Sequence, residues 1–512
     1  MIFKLQLGQY SRYLLCAFLL LAAFVYKIYL SVNYGKLSVE TTYDDVSYFS
    51  EGIRLYSQWK ADPLSFLDTY FGFPPGSPLL ALLSMASQSF FHGNLIAIYG
   101  LFGLLVIFLF FILCRIILQN HFFAFSYTLL FLLSPISTFY LMNYRPDPLF
   151  SLLFAIIAAM IFVDLKKNFW LILYGFWLLF LIKPHFAAFE GILIVYFLVT
   201  SSKEKFHTLR SNRKKAYTFG AVSLILGAVF FNLFKDSLKY IYANTYGGQV
   251  NWWKGEESVF LQLKSNIYLL VKNIGGDSFF VLFIFVFFVL LFFGEFRKIQ
   301  FKSIYPILFL SLGCFLIATF GGTPSPFFFL PFLTLTILFV FFILKQLIFS
   351  SAFTRVPVIC LVGVLVIRGA FPVVEWGADG MKDIGTPNAE LSAFISEYSE
   401  GRTLVTFIGP VNADALNVYT PDPEWDSVDQ RFQFSFLPNG SKESLVRYVD
   451  SMKDFNSVVF LTISYGSTNL YIPNNRYQTQ IEKLFQERYK EDILEQAVFL
   501  DFNVYKLKNS GG

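Results

Sequence analysis

The chain has 512 residues, of which 55% are hydrophobic, 20% aromatic and only 15% charged, with a mean hydropathy of +0.56. Apolar runs of about twenty residues recur along it and match the thickness of a bilayer, whereas a water-soluble core could not cover this much apolar surface. The net charge of +5 sums loops on two sides of a membrane and gives no support for nucleic-acid binding. The composition predicts a polytopic α-helical membrane protein.

Charges, glycines and prolines divide the apolar part of the chain into about eleven predicted transmembrane helices. They lie near 12–30, 94–118, 122–140, 148–164, 168–183, 186–201, 216–234, 278–294, 303–320, 326–349 and 356–370. With a cytoplasmic N-terminus, lysine and arginine collect in the inside loops, most densely at 203–215. We therefore predict a transmembrane domain over 1–370 and an extracytoplasmic domain over 371–512. The four cysteines all fall in apolar runs and predict no disulfide framework.

The first outer loop, 31–76, contains more than a linker. Apolar residues recur at helical spacing within 46–59, and 63–71 carries an aromatic cluster. These patterns predict helices that lie in the membrane interface and do not cross it. The apolar segment 77–91 predicts a half-buried helix that precedes the span at 94.

The same loop holds two adjacent carboxylates in "TTYDDVSYF", Asp44 and Asp45. Neighbouring helical positions point about 100° apart, so both acids can meet one ligand only in a loop or at a helix start. One interpretation is that Thr42 or Asp44 caps the following helix, while the negative charge of Asp45 interacts favourably with the N-terminal dipole of that helix. The other is that one carboxylate is a general base toward a hydroxyl. Both can hold, because a cap also fixes a side chain.

Two further outer segments carry charges at span ends. "NYRPDPLF" supplies Arg145 and Asp147, and "FLIKPHFAAF" supplies Lys183 and His185 in a short corner. Charges near the hydrocarbon are costly unless paired or hydrated, which makes them functional candidates. The structural alternatives are an ion pair between Arg145 and Asp147 that closes the loop, and a Lys183 side chain that snorkels to the headgroups. His185 could join Asp45 in a metal site or form a local hydrogen bond.

The long outer loop near 242–257 contains Tyr246 and Trp252 beside glycines and amides. Aromatic rings stack on sugars, and amides bind sugar hydroxyls. Tyrosine and tryptophan are also the usual residues of the membrane interface, so both interpretations stay open.

The final 142 residues contain no apolar run of spanning length and alternate between two patterns. Short strand-like stretches occupy 403–409, 457–463 and 497–507, and amphipathic helical stretches occupy 389–400, 442–455 and 478–492. This alternation predicts a small soluble α/β domain.

The first span, the outer loop that opens with "YDD", its amphipathic helix and the "PPGSPLL" return resemble the GT-C superfamily of integral-membrane glycosyltransferases. The relevant branch includes aminoarabinose transferases and protein O-mannosyltransferases. The resemblance implies inverting sugar transfer from a polyprenyl-phosphate carrier, with Asp44 as base, Asp147 near the site and Lys183 at the donor phosphate. Where relatives present an Arg-Tyr pair, this chain has Thr323 and Ser325.

The expected chemistry needs few residues. A sugar phosphate already has a good leaving group, so one carboxylate base and cations for the departing phosphate suffice, without the paired carboxylates of glycoside hydrolases. We assign Asp44 as base, Asp45 as orienting or metal-assisting acid, and Asp147 as an organiser. Arg145 and Lys183 are assigned to the phosphate, and the further predicted substrate contacts are His185, Tyr246 and Trp252.

The predicted partners are a polyprenyl-phosphate-linked sugar, membrane lipids, and a glycan, lipid or protein acceptor, with no nucleic acid. A divalent metal stays open as a cofactor. The predicted location is a bacterial inner membrane with the site and the C-terminal domain outside, in cell-envelope glycan biosynthesis. The alternatives are a lipid-linked sugar flippase, a polysaccharide polymerase or ligase, and a receptor or structural protein.

Overall fold

The computed structural model describes the chain in separate ranges. They are 2–34, 37, 44–72, 74–91, 94–134, 136–200, 213–245, 263–264, 267, 305–320, 326–339, 394–395, 397–399, 401–406, 432–435, 442–461, 475–499 and 502–508. Within these ranges the chain is mostly helical and ends in a small sheet.

The first nine helices follow one another closely. They are α1 (Ile2–Tyr34), α2 (Asp44–Ala61), α3 (Pro63–Gly72), α4 (Pro78–Phe91), α5 (Leu95–Leu118), α6 (His121–Leu133), α7 (Ile136–Leu141), α8 (Pro146–Ile182) and α9 (Ala187–Thr200). Later helices include α10 (Arg213–Val229), α11 (Phe231–Thr245) and α12 (Tyr305–Phe320), and a further apolar helix covers Phe327–Phe339.

Several of these helices are long and apolar enough to cross a membrane. Three qualify alone: Tyr13–Asn33, Ile96–Leu118 and Pro146–Leu165. The number rises to five if each of two bent pairs is one broken span: Lys167–Ile182 with Pro184–Val199, bent by 119°, and Arg213–Val229 with Phe231–Lys239, bent by 64°. The length and apolar composition of these helices therefore indicate a membrane protein. The figure of about eleven spans stays a prediction, since 278–294, 340–349 and 356–370 lie outside the described residues.

Helix α8 consists of two arms. Its 37 residues are interrupted at Asp164, whose backbone is non-helical (φ −158°, ψ 83°). Asp164 Oδ1 accepts a hydrogen bond from the backbone N–H of Lys167 at 2.9 Å and so caps the second arm. A Cβ built on Gly175 would lie 2.8 Å from Ile157 Cδ1, which shows that the arms pack side by side. The arms form an antiparallel hairpin, as the predicted division into 148–164 and 168–183 requires.

The predicted helices of the first loop are present as α2 and α3, and the helix predicted over 77–91 is present as α4. Helices α2 and α4 pack closely, because Ser84 Oγ donates to the Phe49 carbonyl at 3.1 Å and a Cβ on Gly52 would lie only 2.0 Å from the same Oγ. Glycine is therefore required at position 52. Their placement in the membrane interface stays a prediction.

The C-terminal residues form a five-stranded sheet in the order β2-β1-β3-β5-β4. The strands are β1 (Thr403–Thr406), β2 (Phe432–Ser435), β3 (Ser457–Leu461), β4 (Ile493–Phe499) and β5 (Phe502–Leu507). Strand β1 runs parallel to β2 and β3, whereas β5 is antiparallel to β3 and β4. Helices α13 (Lys442–Asp450) and α14 (Asn475–Arg488) contribute to one apolar core with the sheet.

The sheet corrects two details of the sequence analysis. The stretch 497–507 is not one strand, because β4 and β5 are separate and pair antiparallel with Phe499 opposite Phe502. Strand β2 was not predicted, although its four residues, FQFS, alternate between apolar and polar side chains. Within the predicted helix over 389–400 only 394–395 and 397–399 are described, and of these 394–395 and 397–398 are helical.

Candidate functional site

Four charged side chains from the sequence analysis meet at one end of the helices. Asp45 lies in the first turn of α2, Arg145 and Asp147 lie at the start of α8, and Lys183 follows its second arm. The antiparallel hairpin explains the last placement, because its first and last residues must lie at the same end. We call these four residues the ion-pair cluster.

Asp45 and Arg145 form the deeper pair. The Arg145 Nε donates to Asp45 Oδ1 at 2.8 Å, and Arg145 and Asp45 are 3% and 0% exposed. Asp45 Oδ2 accepts two more hydrogen bonds, from the Tyr99 hydroxyl at 3.0 Å and the Tyr144 backbone N–H at 2.9 Å. Three donors thus hold this carboxylate and fix the start of α2 against α5 and the residues before α8.

Asp147 and Lys183 form the second pair. Lys183 Nζ lies 2.5 Å from Asp147 Oδ1, and the side chains of Lys183 and Asp147 are 12% and 2% exposed. The two residues are equally distant in sequence from Leu165, so the hairpin register places them opposite each other. The snorkelling interpretation of Lys183 does not describe this structure, because the ammonium group contacts a buried carboxylate.

The pairing also differs from the loop-closing interpretation. Arg145 bonds to Asp45, 100 residues away in sequence, and Asp147 bonds to Lys183, 36 residues away. These bonds join separate elements of the fold. The cluster therefore positions α2 and both arms of α8 relative to one another.

Aromatic rings that were not predicted from the sequence cover the two cations. Arg145 Cζ lies 4.0 Å from the ring centroid of Phe327, and Lys183 Nζ lies 4.0 Å from Phe186 and 5.4 Å from Phe328. Cations over ring faces are stabilised, most strongly away from water. The available signal was the "PFFF" run after the glycine-rich break. Thr323 and Ser325 of that break lie outside the described residues.

The remaining predicted site residues are placed less completely. Asp44 is the first residue of α2, next to the anchored Asp45, and its side chain is not among those described. Tyr246 and Trp252 lie outside the described residues. Their roles stay predictions.

The structure adds nothing in favour of a metal site in the part of the chain that it describes. There, no three or more His, Cys, Asp or Glu side chains are grouped so that they could hold a metal ion. His185 lies in the short turn Pro184–Phe186, beside the Lys183 corner. The oxygens of Asp45 already accept bonds from Arg145, Tyr99 and Tyr144, which fits an orienting acid better than a metal ligand.

The cluster offers fixed donors and no excess charge, because its two cations and two carboxylates sum to zero. An anionic ligand would meet N–H groups that are already held in place by carboxylates and rings. Such preorganised donors stabilise developing negative charge without first having to reorient. Searches against protein-family models and against curated proteins gave no match to this chain.

Proposed function

We propose that this membrane protein is a GT-C-like inverting glycosyltransferase. It transfers a sugar from a polyprenyl-phosphate-linked donor to a hydroxyl or amine of a glycan, lipid or protein acceptor. The reaction takes place at the outer face of a bacterial inner membrane, in the synthesis of envelope glycans. The observation that carries the proposal is the buried Asp45–Arg145 pair, which fixes the residue next to Asp44 at the helix end where Lys183 also lies.

The anchored Asp45 supports a base role for Asp44. Consecutive Cα atoms are about 3.8 Å apart, so fixing Asp45 fixes the backbone from which Asp44 projects. A general base must be held within hydrogen-bond reach of the acceptor proton. Asp45 therefore acts as the positioning acid, and Asp44 removes the proton from the incoming hydroxyl or amine.

The fixed cations support a role at the donor phosphate. The bond to Asp45 and the contact with Phe327 fix the plane of the Arg145 guanidinium, and Asp147 fixes the Lys183 ammonium. When the sugar–phosphate bond breaks, negative charge grows on the leaving phosphate. N–H donors already in place stabilise that charge more than mobile ones do.

The test is a transfer assay on the purified full-length chain in vesicles, with a panel of polyprenyl-phosphate sugars. We expect the Asp44→Asn variant to lose turnover by about 10²–10⁴-fold, the usual contribution of a general base, while donor binding is retained. The matched control is Asp68→Asn, which removes an exposed carboxylate from the neighbouring helix α3 and leaves turnover unchanged.

Two outcomes would overturn the proposal. Equal turnover by wild type and Asp44→Asn would show that Asp44 is not the general base. If no donor supports transfer but labelled lipid-linked sugar crosses the bilayer, the chain is a flippase.

A further inference from the structure

A groove separate from the ion-pair cluster lies between the second arm of α8 and helices α9, α10 and α11. Its volume is about 430 Å³, within the range of about 300–1,000 Å³ that is usual for small-molecule sites. Aromatic side chains from all four elements line it, including Phe176, Phe197, Phe219 and Phe231. None of the four cluster residues belongs to the lining.

One acid, Glu190, faces this apolar groove from the first turn of α9. The residue is only 8% exposed, and its Oε1 has no hydrogen-bond partner within the described residues. A buried polar atom without a partner costs free energy comparable to a lost hydrogen bond, and a lone acid in an apolar helix marks a functional site. Glu190 thus has the properties of a ligand-binding group.

The lining restricts the chemistry of that ligand. Among the described lining side chains, Trp177 is the only one besides Glu190 with a polar atom. Its indole Nε1–H donates a hydrogen bond to Ser223 Oγ at 2.8 Å. A carboxylate together with several aromatic faces favours a cation, since ring faces attract ammonium groups. The rest of the lining favours hydrocarbon.

We propose that this groove binds an amphiphile that carries an ammonium group on a hydrocarbon chain. The ammonium forms a charge-assisted hydrogen bond with Glu190, and the chain lies against the phenylalanine rings. This site is independent of the proposed sugar transfer, because it uses neither Asp44 nor the cluster.

Binding of tritiated dodecylamine to the full-length chain in a neutral maltoside detergent tests the charge requirement. We expect saturable binding to the wild type and at least about tenfold weaker binding to Glu190→Gln, because the variant keeps the shape and loses the charge. Dodecanol, which has the same chain without the charge, should compete weakly and equally on both proteins. Equal affinity of dodecylamine for both proteins would overturn the proposal, as would the absence of saturable binding to the wild type.

A pair of glycine substitutions on α10 tests the location. Gly227 lines the groove, and a Cβ there would lie 3.7 Å from Trp177, so Gly227→Leu should fill the groove and abolish binding. Gly220 lies on the same helix outside the lining, and a Cβ built there would meet nothing within 4 Å, so Gly220→Leu should bind dodecylamine like the wild type. Wild-type affinity in Gly227→Leu would show that the ligand binds elsewhere and would overturn the proposal.

Discussion

Asp45 and Glu190 are both acids in the first turn of a helix, and both are almost fully buried, yet their surroundings are opposite. Asp45 is held by an arginine, a tyrosine and a backbone N–H. Glu190 faces phenylalanine rings and has an oxygen without a partner among the described residues. Burial alone therefore does not define the role of a carboxylate. The donors around it do.

The difference has an energetic side. A buried acid whose partners belong to the protein stabilises one arrangement of helices, and loss of a partner is costly. A buried acid without partners lowers stability until a ligand supplies one. Substitutions at these acids and at their partners should separate the two cases.

The largest effect is expected for Arg145→Met, which leaves the fully buried Asp45 without its cation. The free energy of unfolding should fall by about 3–5 kcal/mol, as measured by thermal or denaturant unfolding in detergent. Lys239→Met is the control, since Lys239 and Asp236 are 66% and 64% exposed and their pair should contribute less than about 1 kcal/mol. Equal losses in the two variants would show that burial of the Asp45 pair has no energetic weight.

Breaking the pair of Asp147 and Lys183 should lower the free energy of unfolding somewhat less than breaking the pair of Asp45 and Arg145. Lys183→Met should lower the free energy of unfolding by about 3 kcal/mol, because the lysine side chain keeps 12% exposure. A double-mutant cycle with Asp147→Leu measures the coupling, and the double variant should lose less than the two single variants together. Strict additivity would mean that the hairpin register does not depend on this contact.

Glu190→Leu should change stability in the opposite direction. Glu190 Oε1 has no hydrogen-bond partner in the part of the chain that the structure describes, so its removal from the apolar groove should raise the free energy of unfolding by about 1–3 kcal/mol in the absence of ligand. The same unfolding measurement applies, with Glu190→Gln as an intermediate variant that keeps the polar group. A destabilised Glu190→Leu protein would place this acid in the same class as Asp45.

The smallest effect is expected beside the C-terminal sheet, where another buried acid has only neutral hydrogen-bond partners. Glu482 is 7% exposed and accepts hydrogen bonds from Tyr505 and Asn503, both at 2.8 Å. Tyr505→Phe should cost about 1 kcal/mol, against no change for the exposed Tyr217→Phe. A cost as large as that of Arg145→Met would contradict the distinction between charged and neutral partners.

The same tyrosine gives a pH prediction. Burial, and then the contact with Glu482, raises the pKa of the Tyr505 hydroxyl. The folded state therefore keeps this proton more tightly than the unfolded state, and the stabilisation is present below pH about 10 and declines above it. The free energy of unfolding, measured at pH 8 and at pH 11, should fall less between these two pH values for Tyr505→Phe than for the wild type.

Much of the cluster could be predicted from the sequence, because loops alternate between the two sides of a membrane. That rule alone grouped Asp45, Arg145, Asp147 and Lys183 on one side. The pairing could not be predicted, since Arg145 lies two residues from Asp147 yet bonds to an acid 100 residues away. Only the packing of α2 against the start of α8 decides this.

Other features were missed for local reasons. Glu190 is a single acid inside the apolar run "FAAFEGILIVYF", a signal that was present in the sequence. The hairpin of β4 and β5 was hidden because 497–507 alternates like one continuous strand. The helices α2 to α4 were predictable, because apolar residues and prolines mark their faces and starts.

The two pairs of the cluster also differ in when they can form during synthesis. At a translation rate of about 5–20 residues per second, Lys183 is synthesised about 2–7 s after Asp147. Arg145 is synthesised about 5–20 s after Asp45. The hairpin can thus neutralise its own charges as it enters the bilayer. Helix α2 can pack against α4 as soon as both are made, but the salt bridge at its start cannot form until translation has reached Arg145.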